Sequence, residues 1–351
     1  MSHQFTRRQF LRSGLTVAGG IALTLPSLAR MQDANSTPQA VQRGNPVELD
    51  LSGDITQVHD PAIIKADGAY YVFCTGIGVP IRKSTDLLTW ERPKPGKAIQ
   101  QLPNWVRKAM PNIFDQWAPD ISFYNNKYHL YYAVSTFGSN RSVIGLMTNI
   151  SLDGVNPAYQ WVDEGLVIES VSTNNYNCID PNLIIDAEGV PWLAFGSFWS
   201  GIKMRRLDYN TGKLSDEDTT LYSLAQRFEN NGSVEAPFII RHHDYYYLFA
   251  SFDQCCQGAA STYRVMVGRS DSITGPYLDR DGVELLKGGG TQVTFPTDRW
   301  RGPGHNSILH DDDKDYIVYH AYDAPLAGIP TLHIDPLEWD SEGWPFIPTT
   351  T

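Results

Sequence analysis

One sentence pattern recurs five times along this chain. A polar or acidic residue, usually beside proline, opens an apolar run, a turn of Asp, Asn or Gly follows, and a Tyr-rich strand comes next. The copies begin at Asp60-Pro61-Ala62-Ile63, Ala118-Pro119-Asp120-Ile121, Asp180-Pro181-Asn182-Leu183, Glu235-Ala236-Pro237-Phe238 and His305-Asn306-Ser307-Ile308. From Asp60 to Asp120 and on to Asp180 the interval is 60 residues each time, then 55 to Glu235 and 70 to His305. Each hairpin leads into a further strand-like stretch, such as Ser142–Met147 or Thr262–Gly268. One hairpin plus one or two more strands, repeated at this period, predicts an all-β, five-bladed β-propeller. A β solenoid would use shorter and strictly even periods.

Composition agrees. Aromatics make up 12% of the 351 residues, with 29 Gly, 22 Pro and only 19% charged residues, which suits turn-rich β structure better than helices. The net charge of −11 lacks the basic stripe that nucleic-acid binding requires. Thr6-Arg7-Arg8-Gln9-Phe10-Leu11 leads into the mildly apolar run Gly14–Leu28 and resembles a twin-arginine export signal. The expected organisation is an export signal over 1–29, a linker over 30–46 and the propeller over 47–351, with no membrane span. The expected location is the periplasm or the exterior. Four cysteines are too few for a disulfide scaffold. Adjacent Cys255 and Cys256 are compatible with a vicinal bridge or with two thiols, and folding before export favours thiols.

In a propeller the first strand of every blade lines the axis, so residues that open the repeats share one pocket. Asp60, Asp180 and Glu235 therefore converge although distant in sequence. An unpaired buried acid costs several kcal/mol, so three of them at the axis point to chemistry. Without a metal motif, converging carboxyls suit glycoside hydrolysis: one acid protonates the leaving oxygen and one carboxylate activates water or attacks carbon. A third negative group would raise the acid's pKa by repulsion.

His59-Asp60-Pro61, Trp117-Ala118-Pro119-Asp120, Ile179-Asp180-Pro181-Asn182, Gly196-Ser197-Phe198-Trp199-Ser200-Gly201, Val234-Glu235-Ala236-Pro237, Ser251-Phe252-Asp253 with Cys255-Cys256, and Gly302-Pro303-Gly304-His305-Asn306 stand in order at blade spacing. Together they make the chain resemble glycoside hydrolase family 43, in its endo-α-1,5-L-arabinanase branch, from about Val47 to Pro348. The resemblance implies Asp60 as general base, Glu235 as general acid and Asp180 as the group that raises and orients the acid. It implies inversion, for which base and acid stand roughly 6.5–9.5 Å apart. It also implies a sugar-binding floor from Asn177, Cys178, Ile179, Asp180, Ser197, Phe198 and Trp199, with Gly138 and Trp117 nearby. Trp199 or Phe198 would stack on a furanose, although Phe198 suits a core as well. His305 would contact a calcium ion with water completing its shell. The implied partner is plant cell-wall arabinan and the expected state a monomer. An exo-acting arabinofuranosidase or β-xylosidase of the same fold and a non-catalytic glycan-binding propeller are the competing readings. A retaining fructan enzyme would need a different motif at His59-Asp60-Pro61-Ala62. Asp311-Asp312-Asp313 is expected to be a solvated turn.

Overall fold

The computed structural model describes residues 44–350; the arginine pair, the apolar run after it and most of the expected linker lie outside the described residues. Strands pair antiparallel with their sequence neighbours in five successive sheets, the blades of a propeller. Blade 1 comprises Ala62–Ala66, Ala69–Phe73 and Ile81–Ser84. Blade 2 comprises Trp117–Tyr124, Lys127–Val134, Ser142–Asn149 and Val162–Ser170, and blade 3 Asn182–Ile185, Pro191–Phe195, Ile202–Arg206 and Tyr222–Ala225. Blade 4 runs through Val234–His242, Tyr245–Phe252, Arg264–Ser270 and Thr291–Gln292. Blade 5 runs through Trp300–Asp311, Lys314–Asp323, Ile329–Trp339 and Pro345–Phe346.

Local sequence explains the hairpins. Asp67-Gly68 and Asn125-Asn126 take positive φ at both positions (50° and 75°, 47° and 58°), the two-residue turn that matches strand twist. Burial explains the strands between them. Each blade is covered on both faces by neighbours, so Ser142–Asn149 is buried throughout and Lys127–Val134 after its first residue. Such strands read as continuous apolar runs, not as alternation.

An apolar cluster fills every junction between blades. Phe73 meets Leu130, Tyr131 meets Leu193, Ala194 meets Leu248, Phe249 meets Ile317, and Val318 meets Val72 in the successive clusters. Polar stitches run along the inner strands. Asp120 accepts from the Leu183 amide and the Asn182 side chain, both at 3.0 Å, and Asn182 Oδ1 accepts from the Ile239 amide at 2.8 Å. Ser307 donates to the Pro61 carbonyl at 2.9 Å, joining blade 5 to blade 1. Asp311 adds to that junction: it pairs with Lys65 and accepts from the Tyr70 hydroxyl at 2.6 Å, so only its neighbours Asp312 and Asp313 form the expected turn.

The N-terminal stretch closes the ring. Val47 N–H donates to Pro348 O, Leu49 N–H to Ile334 O and Val58 N–H to Pro330 O, while Ile55 O accepts from Leu332. Residues before blade 1 thus run along the free edge of Ile329–Trp339, and Val58 is buried in the cluster between blades 5 and 1.

One expectation about the repeat needs correction. Asp60, Ala118, Asp180, Ala236 and His305 share a left-handed backbone, with φ of 53°, 42°, 55°, 54° and 53°. These are the equivalent positions. Asp120 lies two residues beyond its own, which is why it faces a blade junction, and Glu235 stands one residue ahead. Even spacing from Asp60 to Asp120 counted loop length, not register.

Candidate active site

The shared left-handed turn stands at the start of each inner strand, and at Asp60, Asp180 and His305 the side chain reaches the cavity. A non-glycine residue there costs of order 1–3 kcal/mol, a cost usually met at functional sites. Asp60, Asp180 and His305, together with Glu235, line one cavity of about 790 Å³. Trp117, Gly138, Asn177, Ile179, Ser197, Phe198 and Trp199 line it too, and all were singled out in the sequence. Cys178 is the exception. Its side chain is fully buried among Phe195, Leu193 and Ile168, turned away from the cavity.

The aromatic rim is built on a tight turn. Phe198 and Trp199 take φ of 53° and 44°, and Gly201 N–H closes back on the Phe198 carbonyl at 2.6 Å. This leaves Trp199 40% exposed, a free ring face at the opening, while Phe198 is half-buried at the cavity wall and outside the core clusters. Asn177 Oδ1 accepts from Ser142 at 2.6 Å, which leaves its amide hydrogens for the cavity.

Asp60 is the most heavily hydrogen-bonded of the acids. Its Oδ1 lies 2.7 Å from His59 Nδ1 and 3.0 Å from His305 Nδ1. Its Oδ2 accepts from the Thr75 hydroxyl at 2.6 Å, and Thr75 in turn accepts from the Ala118 amide. Burial works against its charge, but His305 and His59 outweigh that and hold the carboxyl well below the usual range. Asp60 is therefore ionised. His305 is its mirror image: burial disfavours the cation, yet Asp60, then Asp180 and Glu235, push its pKa up to about 9.

Glu235 and Asp180 behave oppositely to Asp60. Burial is the largest influence on both and raises both carboxyls. The Ser197 hydroxyl, 2.6 Å from Glu235 Oε2, pulls Glu235 back in part. Each carboxyl feels negative neighbours: Glu235 and Asp60 raise Asp180, and Asp60 raises Glu235. Asp180 also accepts from the Ala236 amide at 3.0 Å, one residue beyond Glu235, and so fixes the strand that carries it. The site thus sets one carboxyl held low beside two held high, an asymmetry of the kind that acid–base hydrolysis of an acetal uses.

Sequence reasoning gave no role to His59, Thr75, Tyr263, His320 or Tyr322. His320 stacks on His59 with ring centroids 3.8 Å apart, and Tyr322 bonds to both rings. Tyr263 is fully buried beside the same carboxyls; burial, then Glu235, Asp180 and Asp60, raise its hydroxyl well above its ordinary value. The HDP motif pointed to His59; the others sit up to 263 residues from their partners and carry no local signal. Cys255 and Cys256 also line the cavity, and their sulfurs are bonded, contrary to the reduced reading.

His59, Asp60 and His320 each offer a ligand atom within 4.8 Å of the others and could hold a metal ion. Two imidazole nitrogens and one carboxylate oxygen suit a borderline cation better than calcium, which takes six to eight oxygens. His305, the ligand expected from sequence, turns Nδ1 to Asp60 and has only Nε2 left for an ion.

Known proteins resemble the chain along nearly all its described length. The family model for glycosyl hydrolases family 43 matches residues 55–345. An extracellular endo-α-(1→5)-L-arabinanase of Bacillus subtilis is 48% identical over 294 residues, covering 82% of this chain and 87% of the relative. An extracellular exo-α-(1→5)-L-arabinofuranosidase of Cellvibrio japonicus is 41% identical over 299 residues, 82% of this chain and 85% of that protein. The solved structure of a Bacillus licheniformis endo-arabinanase superimposes with a TM-score of 0.78 at 49% identity, covering 85% of this chain and 99% of that one. With the propeller, the converging carboxyls and these matches, the chain belongs to glycosyl hydrolase family 43.

Proposed function

We propose that this enzyme is an exported endo-hydrolase of α-1,5-linked L-arabinofuranose chains, acting with inversion and as a monomer. The observation that carries the reading is the meeting of Asp60, Asp180 and Glu235, from three different blades, in one aromatic-rimmed cavity. Asp60 takes a proton from water as the water oxygen attacks the anomeric carbon. Glu235 gives its proton to the departing sugar oxygen as the bond to that oxygen breaks. Asp180 keeps Glu235 protonated and oriented. Trp117, Gly138, Phe198 and Trp199, which line the cavity, would hold furanose units. Similarity to arabinan-cleaving relatives supports the substrate, and relatives named extracellular support export through the twin-arginine segment.

We place the ion implied by the family, calcium, on Nε2 of His305 with water completing its shell. The surrounding negative charge favours a cation there, although a nitrogen donor is unusual for calcium. Such an ion would supply fixed positive charge beside three buried acids.

Time-resolved chromatography of products from debranched linear arabinan tests the reading with wild type and Glu235→Ala. A ladder of oligosaccharides from wild type, and at least ~100-fold less product from the variant, is expected. Arabinose alone from the first minutes means an exo-acting enzyme. Binding without any product leaves a glycan-binding propeller.

A further inference from the structure

A single hydroxyl ties the disulfide turn at the cavity edge to the carboxylate of Asp60. Tyr322, only 2% exposed, stands in the Lys314–Asp323 strand. Its Oη accepts the Cys256 amide at 2.8 Å and lies 2.7 Å from His59 Nε2 and 3.3 Å from His320 Nε2. What the far ends can donate or accept fixes the direction of each bond. His59 Nδ1 lies 2.7 Å from Asp60 Oδ1, a contact in which a ring hydrogen on Nδ1 points at the carboxyl oxygen. Nε2 of a ring with its hydrogen on Nδ1 then accepts from the Tyr322 hydroxyl. On the other ring, the Asp60 amide donates to His320 Nδ1 at 3.1 Å. His320 therefore carries its hydrogen on Nε2 and gives it to Tyr322. The hydroxyl thus accepts from the Cys256 amide and from His320 and donates to His59.

Tyr322 thus selects the tautomers of two stacked imidazoles, one of which orients Asp60. Its own orientation comes from the Cys256 amide. Cys256 lies in the left-handed region at φ 66°, and the bond to Cys255 closes a small covalent ring through the peptide that bears this amide. We propose that Tyr322 is a positioning residue for Asp60, acting through His59, and that the Cys255–Cys256 turn holds the amide that orients the Tyr322 hydroxyl. The proposal rests on the reading of Asp60 as the general base.

Two measurements test it. Long-range proton–nitrogen NMR of the histidine rings, made without substrate, reads the tautomers directly. Wild type should show His59 with its hydrogen on Nδ1, and Tyr322→Phe should turn that single form into a mixture. On linear arabinan, Tyr322→Phe should lower kcat roughly 10- to 100-fold with KM within about twofold, the pattern of a misplaced reacting group. The double variant Cys255→Ser, Cys256→Ser should show part of the same kcat loss, and adding Tyr322→Phe should not multiply the two losses. A wild-type kcat in Tyr322→Phe, an unchanged His59 tautomer, or fully multiplicative losses would each overturn the proposal. Should Tyr322→Phe not fold, the cysteine variant, altered at the surface, carries both readouts. Wild type that cuts no arabinan defeats the functional reading, while the tautomer measurement still decides this one.

Discussion

Asp180 and Glu235 cannot both carry a charge cheaply in the same buried pocket. Burial raises each, and the negative groups around them raise them further, so the pair keeps a proton through neutral pH and titrates as a unit. The sign of a substitution follows. Repulsion raises the acid's pKa, so Asp180→Asn should lower it, and Glu235 would ionise at lower pH. The alkaline limb of the kcat/KM profile should therefore move down by about one pH unit or more. An unmoved limb with reduced kcat would make Asp180 a purely orienting group. Asp60 sits at the opposite extreme. Two imidazoles and a threonine hydroxyl keep it ionised at the cost of basicity, so its catalytic value lies in placement.

Between elements, buried polar atoms do what apolar packing cannot: they fix register. Asp120 meets the Leu183 amide, the Asn182 side chain and the Ser122 hydroxyl, all across or beside one blade junction. Asp120→Ala would leave the Leu183 N–H and the Asn182 amide buried without partners, each worth about 1–3 kcal/mol. We expect urea unfolding to show a loss of roughly 3 kcal/mol; a loss below about 1 kcal/mol would mean water fills the gap. Asp120 also marks where sequence reading reached its limit. Strands, hairpins and blade number were legible because apolar runs and turn pairs such as Asn125-Asn126 act locally. The acids were legible because repeats bring their openings together. Register was legible at four of the five openings, where Pro follows the left-handed residue (Asp60, Ala118, Asp180 and Ala236); the even interval to Asp120 was not register, and Glu235 stands one residue ahead of its own opening. The network around Asp60 was hidden: His59 and Tyr322 meet only after the ring closes. Cys178, next to Ile179 in the chain, turns into the core between blades 2 and 3, in the irregular stretch before Asn182–Ile185.

At the scale of the whole molecule, the ring is held shut by a stretch that precedes its first blade. Residues 44–57 contribute backbone bonds to Pro348, Ile334 and Leu332 and partly bury Leu49, Leu51 and Ile55. A chain beginning at Val58 should lose roughly 5 kcal/mol. At about 2–4 °C per kcal/mol, its thermal midpoint by circular dichroism should fall by ~10–20 °C. A midpoint within a few degrees of the full chain would show that the junction between blades 5 and 1 closes the ring unaided. The five left-handed residues at the axis carry another consequence. They are equivalent positions on one scaffold, three occupied by cavity-lining Asp60, Asp180 and His305 and two by Ala118 and Ala236. The backbone takes the same left-handed turn at all five positions although the side chains differ. Ala118 and Ala236 are buried and do not line the cavity, so the same backbone turn serves packing in two blades and the site in three.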